Sequence, residues 1–316
     1  MKYSLLSRFR GALVGSLVGE MLGSTSCQDL ILGRRALMPL KSEEIQPSPL
    51  FSEWSQIATC GTQSLIGNGR LTLEEWVLPS GKTPSSLFLP SADVSSEVAV
   101  AMLPIALFFH EDEIKLHQNL LQAATAWQQK PEVVEGALAV AYAIALALTE
   151  KLNVTTLIPQ IITALGAQET PFVQQLEQIQ RLLEQGASLD TTLTQLRREA
   201  QNRNEPLKYH HTSVALAFYC FLSTPEDFRL CVNRAYRTHY HPQTTAALTG
   251  ALAGVYNSII GIPISWRLAA NRISIGLHRL QLADHLLEVW SGVYDISASV
   301  ESKRLTVAAP RVIQPR

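Results

Sequence analysis

The sequence is poor in charge, in aromatic residues and in cysteine. Charged residues make up 17% of its 316 positions, aromatic residues 7%, and the formal net charge is −1. That balance gives no broad attraction to nucleic acid or to an anionic lipid surface, and the adjacent Arg197 and Arg198 are an isolated pair rather than a basic run. The four cysteines (Cys27, Cys60, Cys220 and Cys231) have no CxxC spacing, so the common zinc and dithiol motifs are absent. Unpaired thiols in a reducing cytoplasm are expected. No apolar stretch reaches the roughly 18 residues of a membrane-spanning helix. Lys2, Arg8 and Arg10 precede the run "GALVGSLVGEMLG" much as in a signal peptide, but Glu20 interrupts the run and no A-x-A site follows. A cleaved leader is not expected. The same glycines do not end in G-K-[ST], which excludes a phosphate-binding P-loop.

What remains is mostly helix. "EVAVAMLPIALFF" (97–109), "VVEGALAVAYAIALALTEKL" (133–152) and "TLIPQIITAL" (156–165) are rich in Ala, Leu and Ile. "PFVQQLEQIQRLLEQG" (171–186) places apolar residues at helical spacing before a glycine stop. Ser188 is a natural cap for 188–202, and Pro225 is read as the first residue of a helix over 225–237. "HEDE" (110–113) is read as closing the helix before it and facing solvent. Sustained strand alternation is scarce. The fold class is therefore all-α, with several helices apolar almost all round and so central. Residues 24–95 differ, with many prolines and Ser/Thr clusters around helices near 53–66 and 72–77. A long loop region of this kind usually borders a binding site. One domain over 1–300 and a loose tail over 301–316 are expected.

Gly11, Gly15, Gly19 and Gly23 recur at every fourth position, and Gly250, Gly254 and Ser258 repeat the device. On a helix that spacing makes a stripe without side chains. Glycine costs up to about 1 kcal/mol relative to alanine at each such place. The spacing predicts that the two helices cross at close range and bring the chain ends together.

These same residues carry a resemblance. "RFRGALVGSLVGEMLG" (8–23) resembles the opening pattern R-x-x-G-A-L-x-G-x-A-x-G-D-A-L-G of the ADP-ribosylglycohydrolase family. "TTAALTGALAGV" from Thr244, followed by "IPISW" at 262–266, is similar to that family's C-terminal run and turn. The resemblance implies an all-α orthogonal bundle with a pair of Mg²⁺ ions in a cleft, hydrolysing the N- or O-glycosidic bond of ADP-ribose. Its ligands would come from a T-D-D-T motif and a G-G-D-x-D-T run, because hard Mg²⁺ favours carboxylate oxygen.

Aligned on Thr244, the paired glycines of that run fall on His239 and Tyr240, and its two aspartates on His241 and Gln243, with Pro242 between them. Aligned on "ATCGTQSL" (58–65), the first motif falls on Ser52, Glu53, Trp54 and Ser55. The aspartate of the opening pattern is Glu20. The ligand-cleft residues implied are thus Ser52, Glu53, Trp54, Ser55, His239, Tyr240, His241, Gln243 and Thr244. Of about four carboxylates one is kept, and histidine and tryptophan do not replace the charge a magnesium pair needs. No Mg²⁺ cofactor is therefore expected. His239 and His241 are weak candidates for another metal, with His210 and His211 of "YHHTS" nearby in composition only. The expected function is a binding, regulatory or scaffold protein that has lost the hydrolysis. Its partner would be a protein or an ADP-ribose-like small molecule, not nucleic acid or membrane. The alternative is a diverged hydrolase with a rebuilt site, using histidine as acid and Glu53 or Glu20 as base.

Overall fold

The structure is a computed structural model that describes residues 3–25, 27–33, 51–87, 94–166, 169–202, 211–272 and 274–293. The 301–316 tail, His210 and the 34–50 and 88–93 parts of the loop-rich region lie outside the described residues. In chain order the helices are α1 (Leu5–Gly23), α2 (Gln28–Ile31), α3 (Glu53–Asn68), α4 (Pro84–Leu87), α5 (Val94–Ala101), α6 (Leu103–Phe108), α7 (Glu113–Ala126) and α8 (Pro131–Leu148). They continue with α9 (Leu157–Ala164), α10 (Pro171–Glu184), α11 (Leu189–Asn202), α12 (Thr212–Leu222), α13 (Phe228–Arg237), α14 (Pro242–Gly261), α15 (Ile264–Arg272) and α16 (Ser274–Ser291). Among the described residues there is no strand, so the fold is all-α as expected. No single described helix is long and apolar enough to cross a membrane.

The centre is the antiparallel pair α1 and α14. A Cβ on Gly11, Gly15, Gly19 or Gly23 would overlap the carbonyl of Gly254, Gly250, Ala246 or Pro242, in that order. Gly250 and Gly254 meet the carbonyls of Gly15 and Gly11 in the same way. Every four-residue step along α1 is thus matched by a four-residue step back along α14, and backbone lies on backbone. The expected crossing is present. Ser258 also lies at this contact, its carbonyl carbon 2.8 Å from a Cβ placed on Gly11, but its φ of 60° and ψ of 178° interrupt the helix there. Beyond it the chain turns through 104° into α15.

Both central helices are buried on nearly every side, which explains why neither has an apolar stripe. α5, α8, α12 and α13 pack around α14, while α13, α15 and α16 lie against α1. Two arginines tie α1 to its surroundings. Arg10 makes a two-pronged pair with Asp284 of α16, at 2.6 and 2.7 Å. Arg8 donates to the Ala147 carbonyl at the C-terminal end of α8 and to Glu150 at 2.7 Å, meeting the negative end of that helix. Trp127 and Trp266 are core residues. Trp290 stacks on the buried His110, with ring centroids 4.8 Å apart.

Three expectations about helix ends are corrected. The single helix over 97–109 is two, because Pro104 has no N–H to continue the ladder and Met102 starts a new helix. Pro225 does not open α13; Asp227 does, its side chain accepting from the Leu230 N–H at 2.9 Å. Pro225 instead offers its carbonyl to the Asn257 amide at 2.7 Å. In "HEDE", His110 is buried, and Asp112 opens the next helix by accepting from the Lys115 N–H at 3.0 Å. Only Glu111 and Glu113 of that run face solvent. Ser188 does cap α11, accepting from the Thr191 N–H at 3.2 Å.

Candidate functional site

Two helix N-termini converge on the last turn of α1. α14 arrives through Gly23, whose missing side chain leaves room for the backbone of Pro242 and Gln243. α3 arrives through Glu20, one turn back. Glu20 is 1% exposed, and its Oε1 accepts from both the N–H and the hydroxyl of Ser52, each at 2.8 Å. Ser52 is the N-cap residue of α3, yet it makes no side-chain cap. Its hydroxyl is committed to Glu20 instead. The two sequence segments that share the candidate site, 52–55 and 239–244, are therefore both anchored on α1.

Inside this junction lies a group that the sequence reading did not single out. Arg279 of α16 is 5% exposed, and its Nη2 donates to the Ser55 carbonyl at 2.7 Å and to the Ser55 hydroxyl at 2.9 Å. Its Nε is buried with no hydrogen-bond partner among the described residues. Burial lowers the Arg279 pKa, and the Glu20 charge works against that. Burial raises the Glu20 pKa, opposed by hydrogen bonds from Ser52 and Ser55 and by the Arg279 charge. The half-buried Cys60 thiol is pushed up by burial and pulled back by the same guanidinium. Glu20, Ser52, Ser55, Cys60 and Arg279 form one electrostatic unit, with a fixed cation at one side and a carboxylate at the other.

The remaining members of 52–55 point elsewhere. Glu53 faces solvent and pairs with Lys82 at 2.5 Å, both side chains about half exposed. In the first turn of α3 its charge suits the helix dipole. Trp54 is 6% exposed and belongs to the hydrophobic core.

The "HYHPQ" segment forms a tight entry to α14. His239 has φ of 52° and His241 has φ of 39°, both in the left-handed region. Histidine visits that region more readily than bulky or branched residues, though less freely than glycine. His239 stands where the resemblance puts a glycine, and its backbone keeps a conformation that glycine favours. The segment is tied by the Tyr240 N–H to the Thr238 hydroxyl at 3.2 Å, and by the Thr245 hydroxyl to the Tyr240 carbonyl at 2.7 Å. His239 and His241 are exposed, Tyr240 and Gln243 are half-buried, and Thr244 is buried. Partial desolvation lowers the His241 pKa. Among the described residues, no three His, Cys, Asp or Glu side chains gather as a metal would require. His211 lies elsewhere, its Nδ1 2.7 Å from the Ser95 hydroxyl.

One result follows for pH. An acid whose folded-state pKa is raised adds stability that is full below its unfolded value, 4.5 here, and is lost as pH rises through the folded value. Glu20→Gln mimics the protonated form. Melting temperatures from pH 5 to 8 should fall less steeply for the variant than for wild type, with the variant higher at pH 8. Glu97 is shifted the same way by burial, so the difference between the two proteins, not either curve alone, isolates Glu20.

Comparison with known proteins agrees with this architecture. The family model described as ADP-ribosylglycohydrolase matches residues 1–295. A solved structure described as an ADP-ribosylglycohydrolase-related protein complex superposes with a TM-score of 0.60 at 17% identity, covering 89% of this chain and 97% of that one. At that identity the likeness speaks to the fold alone. A search of curated proteins gives no significant match.

Proposed function

The chain belongs to the ADP-ribosylglycohydrolase family, and from that premise we propose that it has given up magnesium-dependent hydrolysis and works by binding, as a regulatory or scaffold protein. One observation carries the reading: the Arg279 guanidinium sits on Ser55, within the segment aligned with the family's first metal-binding motif. The residues present do not fit a magnesium pair. Trp54 offers an indole buried in the core, and His241 and Gln243 stand in place of carboxylates. The one carboxylate of the segment, Glu53, is turned outward to Lys82. A divalent cation brought to Ser55 would meet a fixed positive charge instead of a negative one, and the repulsion is strong in a water-poor site.

The junction keeps shape and loses ligands. A protein of this kind would recognise a protein partner or an ADP-ribose-like small molecule. No disulfide joins its four cysteines among the described residues, which suits a reducing compartment such as the cytoplasm.

The test is calorimetric titration of ADP-ribose with and without Mg²⁺, followed by an assay for release of ADP-ribose from a modified arginine. The expected result is no Mg²⁺-dependent turnover. Binding without turnover assigns a small-molecule sensor, and absence of binding assigns a protein scaffold. Mg²⁺-dependent release that is abolished by Glu53→Gln would overturn the reading in favour of a diverged hydrolase.

A further inference from the structure

Among the described residues, exposed large apolar side chains include three on and just before α15 and two on α7, beside charges of opposite sign. Among the described residues, seven large hydrophobic side chains are exposed: Ile114, Leu121, Leu230, Ile260, Ile264, Leu268 and Leu277. Five of them fall between Asp227 and Asp284. That stretch contains six arginines and no lysine, aspartate or glutamate; of these, Arg267 and Arg272 belong to α15, Arg229, Arg234 and Arg237 to α13, and Arg279 is buried. The other two lie on α7, which Glu111 and Asp112 precede and Glu113 opens; Lys115 pairs with Asp112 at 3.7 Å.

The first surface is the outer face of α15. Ile264 and Leu268 are 68% and 59% exposed and one helical turn apart, with Arg272 a further turn along. Ile260, 66% exposed, precedes them across the turn that ends α14. Neither Arg267 nor Arg272 makes an ion pair with a described residue. Arginine without lysine, beside aliphatic side chains, is the composition of a protein-facing surface.

The second surface is a groove of about 370 Å³ between α7, α8 and α9. Leu116, Leu120, Leu138 and Ile161 line its floor, and Glu113 and the 71%-exposed Ile114 stand at its rim. It shares no residue with the junction at Ser52 and Ser55. α15 packs on α1, α2 and α16, and α7 on α6 and α8, so the two surfaces are built on different neighbours.

We propose that the α15 face of one copy docks into the α7–α9 groove of a second copy, joining copies head to tail. The aliphatic pair Ile264 and Leu268 enters the apolar groove, and Arg267 and Arg272 meet the Glu113 carboxylate at the rim and the exposed Glu111 two residues before it. The two patches are different, so the contact is heterologous, and each copy keeps one free patch of each kind. Repetition gives a ring if the rotation closes and a filament if it does not. The inference goes beyond the loss of hydrolysis and stands whether or not the junction turns over a substrate.

Sedimentation velocity over about 1 µM to 1 mM tests it. Wild type should show a weight-average mass that rises with concentration and falls with added salt, because rim charges are screened. Ile264→Asp with Leu268→Asp disables one patch; Glu113→Lys with Ile114→Lys disables the other. Each double variant alone should be monomeric, with unchanged circular dichroism because these side chains are exposed. Mixed one to one, they retain a single usable contact and should form a dimer that grows no further. Monomeric wild type across the range would overturn the proposal. So would variants that associate like wild type, or a mixture that stays monomeric while wild type associates.

Discussion

Replacing Gly19 with valine should leave no cooperatively folded protein. A Cβ at that position falls on the Ala246 carbonyl and 2.9 Å from the Ala247 nitrogen. Both are backbone atoms of a buried helix and cannot swing aside as a long side chain can. Relieving the clash means moving α1 away from α14, and the two also meet at Gly11, Gly15 and Gly23. Separation opens voids along the whole contact, in an interior otherwise packed like a crystal. The cost is expected to exceed about 5 kcal/mol, comparable with the entire stability of an ordinary domain. Gly67 is the control. It lies in α3 with nothing within 4 Å of an added Cβ, so Gly67→Ala should stabilise by up to about 1 kcal/mol. Thermal melts of both variants check the pair. A Gly19→Val protein that melts like wild type would contradict the backbone contact.

Removing Arg279 is expected to have the next largest effect. Arg279→Met keeps much of the stem and deletes the charge. It leaves the Ser55 carbonyl and hydroxyl without their donor and Glu20 without its nearby cation. Breaking a buried charge arrangement by deleting one side costs about 3–5 kcal/mol. For a chain of this size the melting temperature should drop on the order of 5–10 °C. Arg279→Lys restores the sign but not the fork and should recover only part of the loss. Adding Glu20→Gln to Arg279→Met should raise the melting temperature at pH 8 by more than Glu20→Gln does in the wild type, because the carboxylate left without its cation is then removed. An equal gain in both backgrounds would mean that the two charges do not sense one another.

Much of the fold was legible because its main contact is written at a fixed period. Glycines four apart in two distant segments predict a backbone crossing, and α1 against α14 is that crossing. The helix boundaries that failed were decided by single hydrogen bonds. Asp227 rather than Pro225 caps α13, and Asp112 opens α7 where the charge run had suggested an ending. At the candidate site, spacing proposed both segments, and α1 anchors both of them. Arg279 was not legible. It acts on Ser55 across 224 positions of sequence. Nothing in "GLHRLQLADHL" separates a buried arginine from one lying along a helix surface. Only the packing of α16 on α3 turns that side chain inward.

The pairing of α1 with α14 also sets an order in time. α1 is made before α14, and its natural cover is roughly 220 residues further on. At about 5–20 residues per second, a ribosome needs on the order of 10–45 s to supply that cover. Through that interval the glycine stripe of a 19-residue helix lacks the backbone that covers it. Synthesis of this chain is therefore a period of exposure that ends only when α14 emerges, and a nascent chain interrupted before Pro242 should be a substrate for chaperones rather than a partly working protein.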